Sequence, residues 1–252
     1  MRIPILLYHL VGTGLAGERT SYFVPQDVMH RQWRWLKRRG YNSITVYDLY
    51  LAQQGKFALP VKPLIITFDD GYRDTFLHAK PIAESLGFKI TIFVTAGKIG
   101  DPTGIAGTCG EGYGIMNTDE LRKLVCHGHD VESHGLTHAR LCDLDDDYLW
   151  KEVEDSRKVI EEAIDRKVIA IAYPHGKTND RVMHFCKRAG YHLGFLAKKK
   201  RQPFSYDNLA LERININRYH TVPLILWLRL TFRNIGNQGV KRLYSETSNV
   251  FS

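Results

Sequence analysis

Residues 64–72 read Leu-Ile-Ile-Thr-Phe-Asp-Asp-Gly-Tyr, and this stretch limits the fold more than any other. Residues 64–68 are apolar or β-branched without interruption, the pattern of a strand covered on both faces. Such strands belong to parallel sheets packed under helices. The strand runs directly into Asp69, Asp70 and Gly71. Adjacent side chains on a strand leave in opposite directions, but the chain turns where a strand ends. Gly71 permits dihedrals that aim both acids into one cleft, where one carboxylate binds a metal and the other accepts a proton. The plainer alternative is an Asp-Gly turn that happens to follow a core strand.

Residues 132–138, Glu-Ser-His-Gly-Leu-Thr-His, supply the partner that the acids need. His134 and His138 are four apart, a spacing that places two imidazoles on one side of a helical turn or a tight loop. Alone, such a pair also suits surface or capping chemistry. Joined to one of the aspartates, it makes a set of two histidines and one carboxylate, which leaves coordination positions open for water and substrate.

These motifs resemble those of the polysaccharide deacetylases, carbohydrate esterase family 4, which share the NodB-homology domain. Thr67-Phe68-Asp69-Asp70-Gly71 is similar to the family's first motif, and Ser133-His134 through His138 to its second, with Gly135 where many members carry Ser or Thr. Ala172-Tyr173-Pro174-His175-Gly176 is similar to the segment that walls the site. The resemblance spans residues 3–216. It implies an α/β fold, a distorted (β/α) barrel of about seven parallel strands, and a hydrolase that removes N-acetyl groups from an amino sugar in a poly- or oligosaccharide. It further implies Asp70, His134 and His138 as ligands of a divalent metal, Asp69 as general base, and Tyr173, Pro174 and His175 at the substrate and oxyanion. By ligand type the metal is zinc, with Co, Ni, Mn or Fe able to occupy the same set.

Two family features are displaced in this chain. An Arg normally stands three positions before the Pro, and here that position is Ile171; its task is expected to pass to Arg213, in the late segment Arg213-Ile214-Asn215-Ile216. The proton donor is expected to be His9. Ile5-Leu6-Leu7-Tyr8-His9 resembles the opening strand of the poly-N-acetylglucosamine deacetylase branch, whereas His220 only loosely echoes the usual late motif. Two other functions stay open from the sequence: a deacetylase-like domain that binds glycan without turnover, and a hydrolase of another non-peptide amide.

Composition suits one enzyme-sized unit, since 252 residues with 44% hydrophobic are ample for a barrel core. Residues 1–218 are expected to form it, with 219–252 as a helical extension packing on the barrel or on a membrane surface. The net charge of +8 favours anionic partners, yet no nucleic-acid recognition motif is present and none is expected to bind. Lys37-Arg38-Arg39 reads as a solvated helix end and Lys198-Lys199-Lys200-Arg201 as a loop. Cys109, Cys126, Cys142 and Cys186 lack metal-ligand spacing and read as free thiols. The N-terminus has no signal-peptide pattern, and no run reaches the roughly 18 apolar residues of a spanning helix, so a cytoplasmic location is expected.

Strand and helix patterns alternate along the chain, as β/α units require. A helix is expected over residues 25–39, with Val28, Trp35 and Leu36 inward, and another over 74–86 that Pro81 kinks or divides. Residues 97–114 are glycine-rich and read as a loop over the substrate side. Asn117 or Thr118 caps the helix ending near Cys126, and the acidic run 143–147 caps a long helix reaching Ile164.

Overall fold

The computed structural model describes residues 3–12, 22–106, 108, 113–197 and 208–217. Strand β1 (Ile5–Tyr8) is followed by the short strands β2 (Leu10–Gly12) and β3 (Phe23–Pro25), helix α1 (Gln26–Arg38), β4 (Asn42–Ile44) and α2 (Val46–Gln53). Next come β5 (Pro63–Phe68), α3 (Lys80–Ser85), β6 (Thr91–Val94), α4 (Thr118–Cys126), β7 (Asp130–Ser133) and α5 (Asp146–Ile164). The described chain ends with β8 (Ala170–Ala172), α6 (Asp180–Arg188), β9 (Leu193–Leu196), β10 (Leu211–Glu212) and β11 (Ile214–Asn215).

Apart from the β2–β3 pair, the strands form one parallel sheet in the order β10-β9-β8-β7-β6-β5-β1-β11, with β4 also beside β5. β10 and β11 are two halves of one stretch, interrupted only at Arg213. The first half pairs with β9, Leu211 opposite Phe195, and the second with β1, Ile214 opposite Leu6. A single segment therefore joins the two outer edges, and the sheet closes into a nearly complete barrel of eight parallel strands. Closure removes the unpaired edges that an open sheet exposes. The expected barrel is the observed one.

Alternation along each strand divides the core in two. Ile5, Ile65, Phe93, Ala170, Ala172, Leu193 and Phe195 point into the barrel. Leu6, Tyr8, Ile66, Phe68, Val131 and Ile171 point outward, under Trp33 and Leu36 of α1 and Val153 and Ile160 of α5. Continuing the inward rows past the strands' C-terminal ends leads to His9, Asp69 and His134. The candidate side chains thus sit where the barrel's packed interior meets its mouth, the end at which β/α folds bind ligands.

Helix α1 corrects one expectation. Its buried residues are Val28, Met29, Gln32, Trp33 and Leu36, spaced as one face of a helix, while Trp35 is only half-buried and lies under the Arg39 guanidinium. Pro81 does divide its helix: a π-helical turn, Thr75–Ala79, precedes α3, where Pro81 occupies the first turn and its missing N–H breaks no helical bond. Asn117 caps α4 in a reciprocal box with Glu120, and Asp145 caps α5. Lys37 and Arg38 close the last turn of α1. Cys126 and Cys186 are free thiols. Cys109, residues 198–201, His220 and the expected extension 219–252 lie outside the described residues. Among the described residues no helix is long and apolar enough to cross a membrane.

Candidate active site

Asp69 extends the β5 ladder by one residue, its N–H donating to the Tyr8 carbonyl at 3.1 Å, so its side chain stays on the inward face. The chain then reverses. Asp70 and Gly71 both adopt left-handed backbone, φ +74° and +86°. A β-carbon at Gly71 would lie 2.6 Å from Val94 Cγ2, so only glycine fits. The reversal turns the Asp70 carboxylate to the same side as Asp69, which adjacent residues of a straight strand never achieve.

β7 delivers the imidazoles. His134 N–H donates to the Val94 carbonyl at 2.9 Å, and its ring Nδ1–H donates to the Ala172 carbonyl at 2.8 Å. That bond selects the tautomer whose Nε2 lone pair faces the cleft. His138 follows a tight loop and is itself left-handed, φ +70°. The Nε2 atoms of His134 and His138 each stand 3.3 Å from Asp70 Oδ1. One donor atom from each residue lies within 4.8 Å of the others, the one such His/Cys/Asp/Glu group among the described residues.

The donor set fits a divalent cation. Asp70 is 3% exposed, and its Oδ1 is buried with no hydrogen-bond donor, so a full negative charge is held out of water opposite two imidazole nitrogens. Burial by itself would raise the Asp70 pKa, but His134 and His138 bring it well below the carboxylate range. A cation with ligand bonds of about 2 Å would take up the facing lone pairs.

Asp69, 2% exposed, belongs to a separate arrangement. Arg213 Nη1 and Nη2 donate to its two carboxylate oxygens at 2.6 and 2.7 Å, a bidentate fork. The guanidinium is buried as well: its Nε donates to the Leu196 carbonyl at 3.1 Å, and its plane lies over the Phe93 ring. Burial works to raise the Asp69 pKa, yet Arg213, followed by His134, leaves it below the ordinary value. The interruption that closes the barrel thus also supplies the cation for this acid.

His9 is half-buried beyond β1, its ring 4.7 Å from that of Tyr22, and its Nδ1 has no hydrogen-bond partner among the described residues. Burial lowers its pKa, while the charges of Asp70 and Asp69 oppose the fall. Pro174 packs beside the loop between the two histidines, its Cγ 3.4 Å from where a Gly135 β-carbon would stand. His175 is exposed, left-handed at φ +59°, and its Nε2 donates to the His138 carbonyl at 3.3 Å. Tyr173 stands behind them. Its N–H donates to the Phe195 carbonyl at 3.0 Å and its hydroxyl to the Leu209 carbonyl at 2.8 Å, so neither donor is offered to the cleft.

Two residues near the site escaped the sequence reading. Asp74 accepts the Val11 N–H at 2.8 Å, which ties β2 down just beyond His9, and burial pushes its pKa up to about 7. Glu152, on α5, accepts from Leu136 and Thr137 inside the histidine loop. Both lie in helical turns whose local pattern reads as ordinary amphipathic helix, so no short-range signal marks them.

Fold and site together define a β/α barrel with a candidate divalent-metal site at its mouth. The profile of the family Polysaccharide deacetylase matches residues 57–194, more than half of the chain, and the chain belongs to that family. YxkH of Bacillus subtilis (strain 168) is 27% identical over 218 residues, 86% of this chain and 72% of YxkH. The poly-beta-1,6-N-acetyl-D-glucosamine N-deacetylase of Staphylococcus aureus (strain MRSA252) is 25% identical over 210 residues, 79% of this chain and 70% of that protein. In fold, the Streptococcus pyogenes deacetylase PplD, solved with acetate, matches with a TM-score of 0.74 at 23% identity, over 96% of this chain and 97% of that one. The reaction that membership carries is hydrolytic deacetylation of a polysaccharide at a carbon–nitrogen bond other than a peptide bond. Metal dependence is typical of the family, and the Asp-His-His group is this chain's candidate site for it.

Proposed function

We propose that the cleft removes N-acetyl groups from an N-acetylglucosamine-type glycan, with Asp70, His134 and His138 holding zinc. The observation that carries this reading is the pairing of an orphaned, buried Asp70 oxygen between two imidazoles with a second, separately held acid beside it. When bound, a divalent cation supplies Lewis acidity toward a carbonyl oxygen and toward water.

The chain's own residues do the rest. Asp69 is the general base. The Arg213 fork keeps it ionised and fixes its orientation while leaving lone pairs on both oxygens. A carboxylate so paired is a weak base, which suffices where the water is already acidified. His9, whose Nδ1 is unengaged, protonates the leaving amine. Pro174 and His175 form the wall beside the acetamido group, the His175 backbone N–H facing the developing oxyanion, and Tyr173 braces that wall from behind. A cytoplasmic location, and a contact of residues 219–252 with a membrane surface, are the finer parts of this proposal, tested by fractionation of cells expressing the full chain and a chain ending at 218.

The primary test is amine release from N-acetylglucosamine oligomers together with metal analysis of the purified protein. Release that depends on zinc and is lost in His134→Ala supports the assignment. Metal bound stoichiometrically with no amine released from any N-acetylated glycan would leave a binding domain instead, and release only from other amides would leave the hydrolase of a different C–N bond.

A further inference from the structure

The two imidazoles of the metal set are held in different ways. His134 is fixed through its own ring, by the bond to the Ala172 carbonyl. His138 has no such ring bond to a carbonyl among the described residues; its ring packs 4.7 Å from that of His175, and its position otherwise follows the backbone that bears it. That backbone is strained: φ is +70°, a conformation that costs an L-residue about 1–2 kcal/mol. Something must hold the loop in place.

We infer that Glu152 is a positioning residue for the metal site, acting through residues 135–137 on His138; this rests on the proposal that Asp70, His134 and His138 hold a divalent metal. Glu152 is 6% exposed and lies on α5, the helix that follows the loop it serves. Its Oε2 accepts the N–H of Leu136 at 2.9 Å and that of Thr137 at 3.1 Å, and its Oε1 accepts the Thr137 hydroxyl. Two successive amide groups pointing one way form a concavity that suits an anion, and here the chain fills it with its own carboxylate. From the opposite side, the Ala96 and Gly97 N–H groups donate to the carbonyls of Gly135 and Leu136, at 2.9 and 2.8 Å. The loop's donors are thus bound to α5 and its acceptors to the turn after β6. Gly135 adjoins the clamp: at φ +78° its backbone favours glycine, and an added β-carbon would stand 3.2 Å from Glu152 Oε2, so the carboxylate would have to shift.

The test measures zinc binding by calorimetry and the visible absorption of the cobalt-loaded protein, for wild type, Glu152→Ala, Glu152→Gln, Thr137→Val and the control Glu161→Ala. Glu161 lies on the same helix and accepts the Val168 N–H at 3.1 Å and an Arg157 bond at 3.0 Å, away from the metal loop. Partners that orient metal ligands typically contribute 10–100-fold in metal affinity. Glu152→Ala is expected to lose that much and to change the cobalt spectrum, Glu152→Gln and Thr137→Val to lose less, and Glu161→Ala to lower only the melting temperature. Zinc affinity within twofold of wild type in Glu152→Ala would overturn the inference, whatever its melting temperature. Should Glu152→Ala fail to fold, unchanged affinity and spectrum in both Glu152→Gln and Thr137→Val would do the same. A wild type that binds neither metal would instead remove the metal-site proposal beneath it.

Discussion

The barrel mouth and the layer directly beneath it both bury carboxylates, and the Asp69–Asp70 pair and Glu132 are treated oppositely. At the mouth, Asp69 faces the Arg213 fork and Asp70 faces two imidazoles, and both carboxyls fall below the ordinary range. Lower in the same barrel, Glu132 is fully buried, and its Oε2 receives only the N–H groups of Ile169 and Ala170, at 2.9 and 2.8 Å. Its Oε1 has no partner, and burial pushes its pKa well above the usual carboxylate value. Amide dipoles replace only part of the hydration a charge loses, whereas a guanidinium or a pair of imidazoles can outweigh it. Burial is therefore shared by both layers; the facing partner decides whether an acid is a ready anion or a neutral group.

The comparison breaks first at Asp69. Asp69→Asn should retain metal and lose about 10²–10⁴-fold in kcat, read as amine release, because a base is replaced by an isostere that accepts no proton. A variant turning over at the wild-type rate would take the base role from this residue. Arg213→Met strips the fork and leaves a buried, unpaired carboxylate, with an expected loss of about 3–5 kcal/mol in denaturant unfolding. Without its guanidinium the Asp69 pKa rises, so the acid limb of the kcat/KM profile should move to higher pH; a limb that stays in place would mean that Arg213 does not set this ionisation.

Removing the metal tests Asp70. Chelation should lower the melting temperature, and zinc at about a hundred times its Kd should restore roughly 2.7 kcal/mol, since binding to the folded state alone adds stability by mass action. No thermal response to zinc would contradict the cation between the imidazoles. A pH titration tests Glu132. Its folded pKa lies above the ordinary 4.5, so the folded state keeps a proton that the unfolded chain releases, and stability falls as pH rises between those two values. The slope is about 1.4 kcal/mol per pH unit in that window. Glu132→Gln should flatten it in urea titrations from pH 5 to 8, and an unchanged slope would place Glu132 among the ionised acids.

Much of the mouth is legible along the chain. Asp69-Asp70-Gly71 follows an uninterrupted apolar strand, and His134 and His138 stand four apart just after the short strand Asp130–Ser133, so turn chemistry and ligand spacing are short-range signals. The helix face of α1 was harder, because Trp33 and Trp35 both satisfy an amphipathic pattern and only packing against β1 and β5 selects Trp33. Arg213 is suggested by the family resemblance of its late segment, but its bond to Asp69 spans 144 positions.

What the residues determined by themselves, then, is where strands end and which side chains stand at those ends, since both follow from neighbours a few positions away. Which partner each buried charge meets was decided only by barrel closure and helix docking, which brought Arg213 to Asp69 and Glu152 to the loop before His138. The reason is physical: a charge out of water answers to groups within a few ångströms, and in this barrel those groups come from distant parts of the chain.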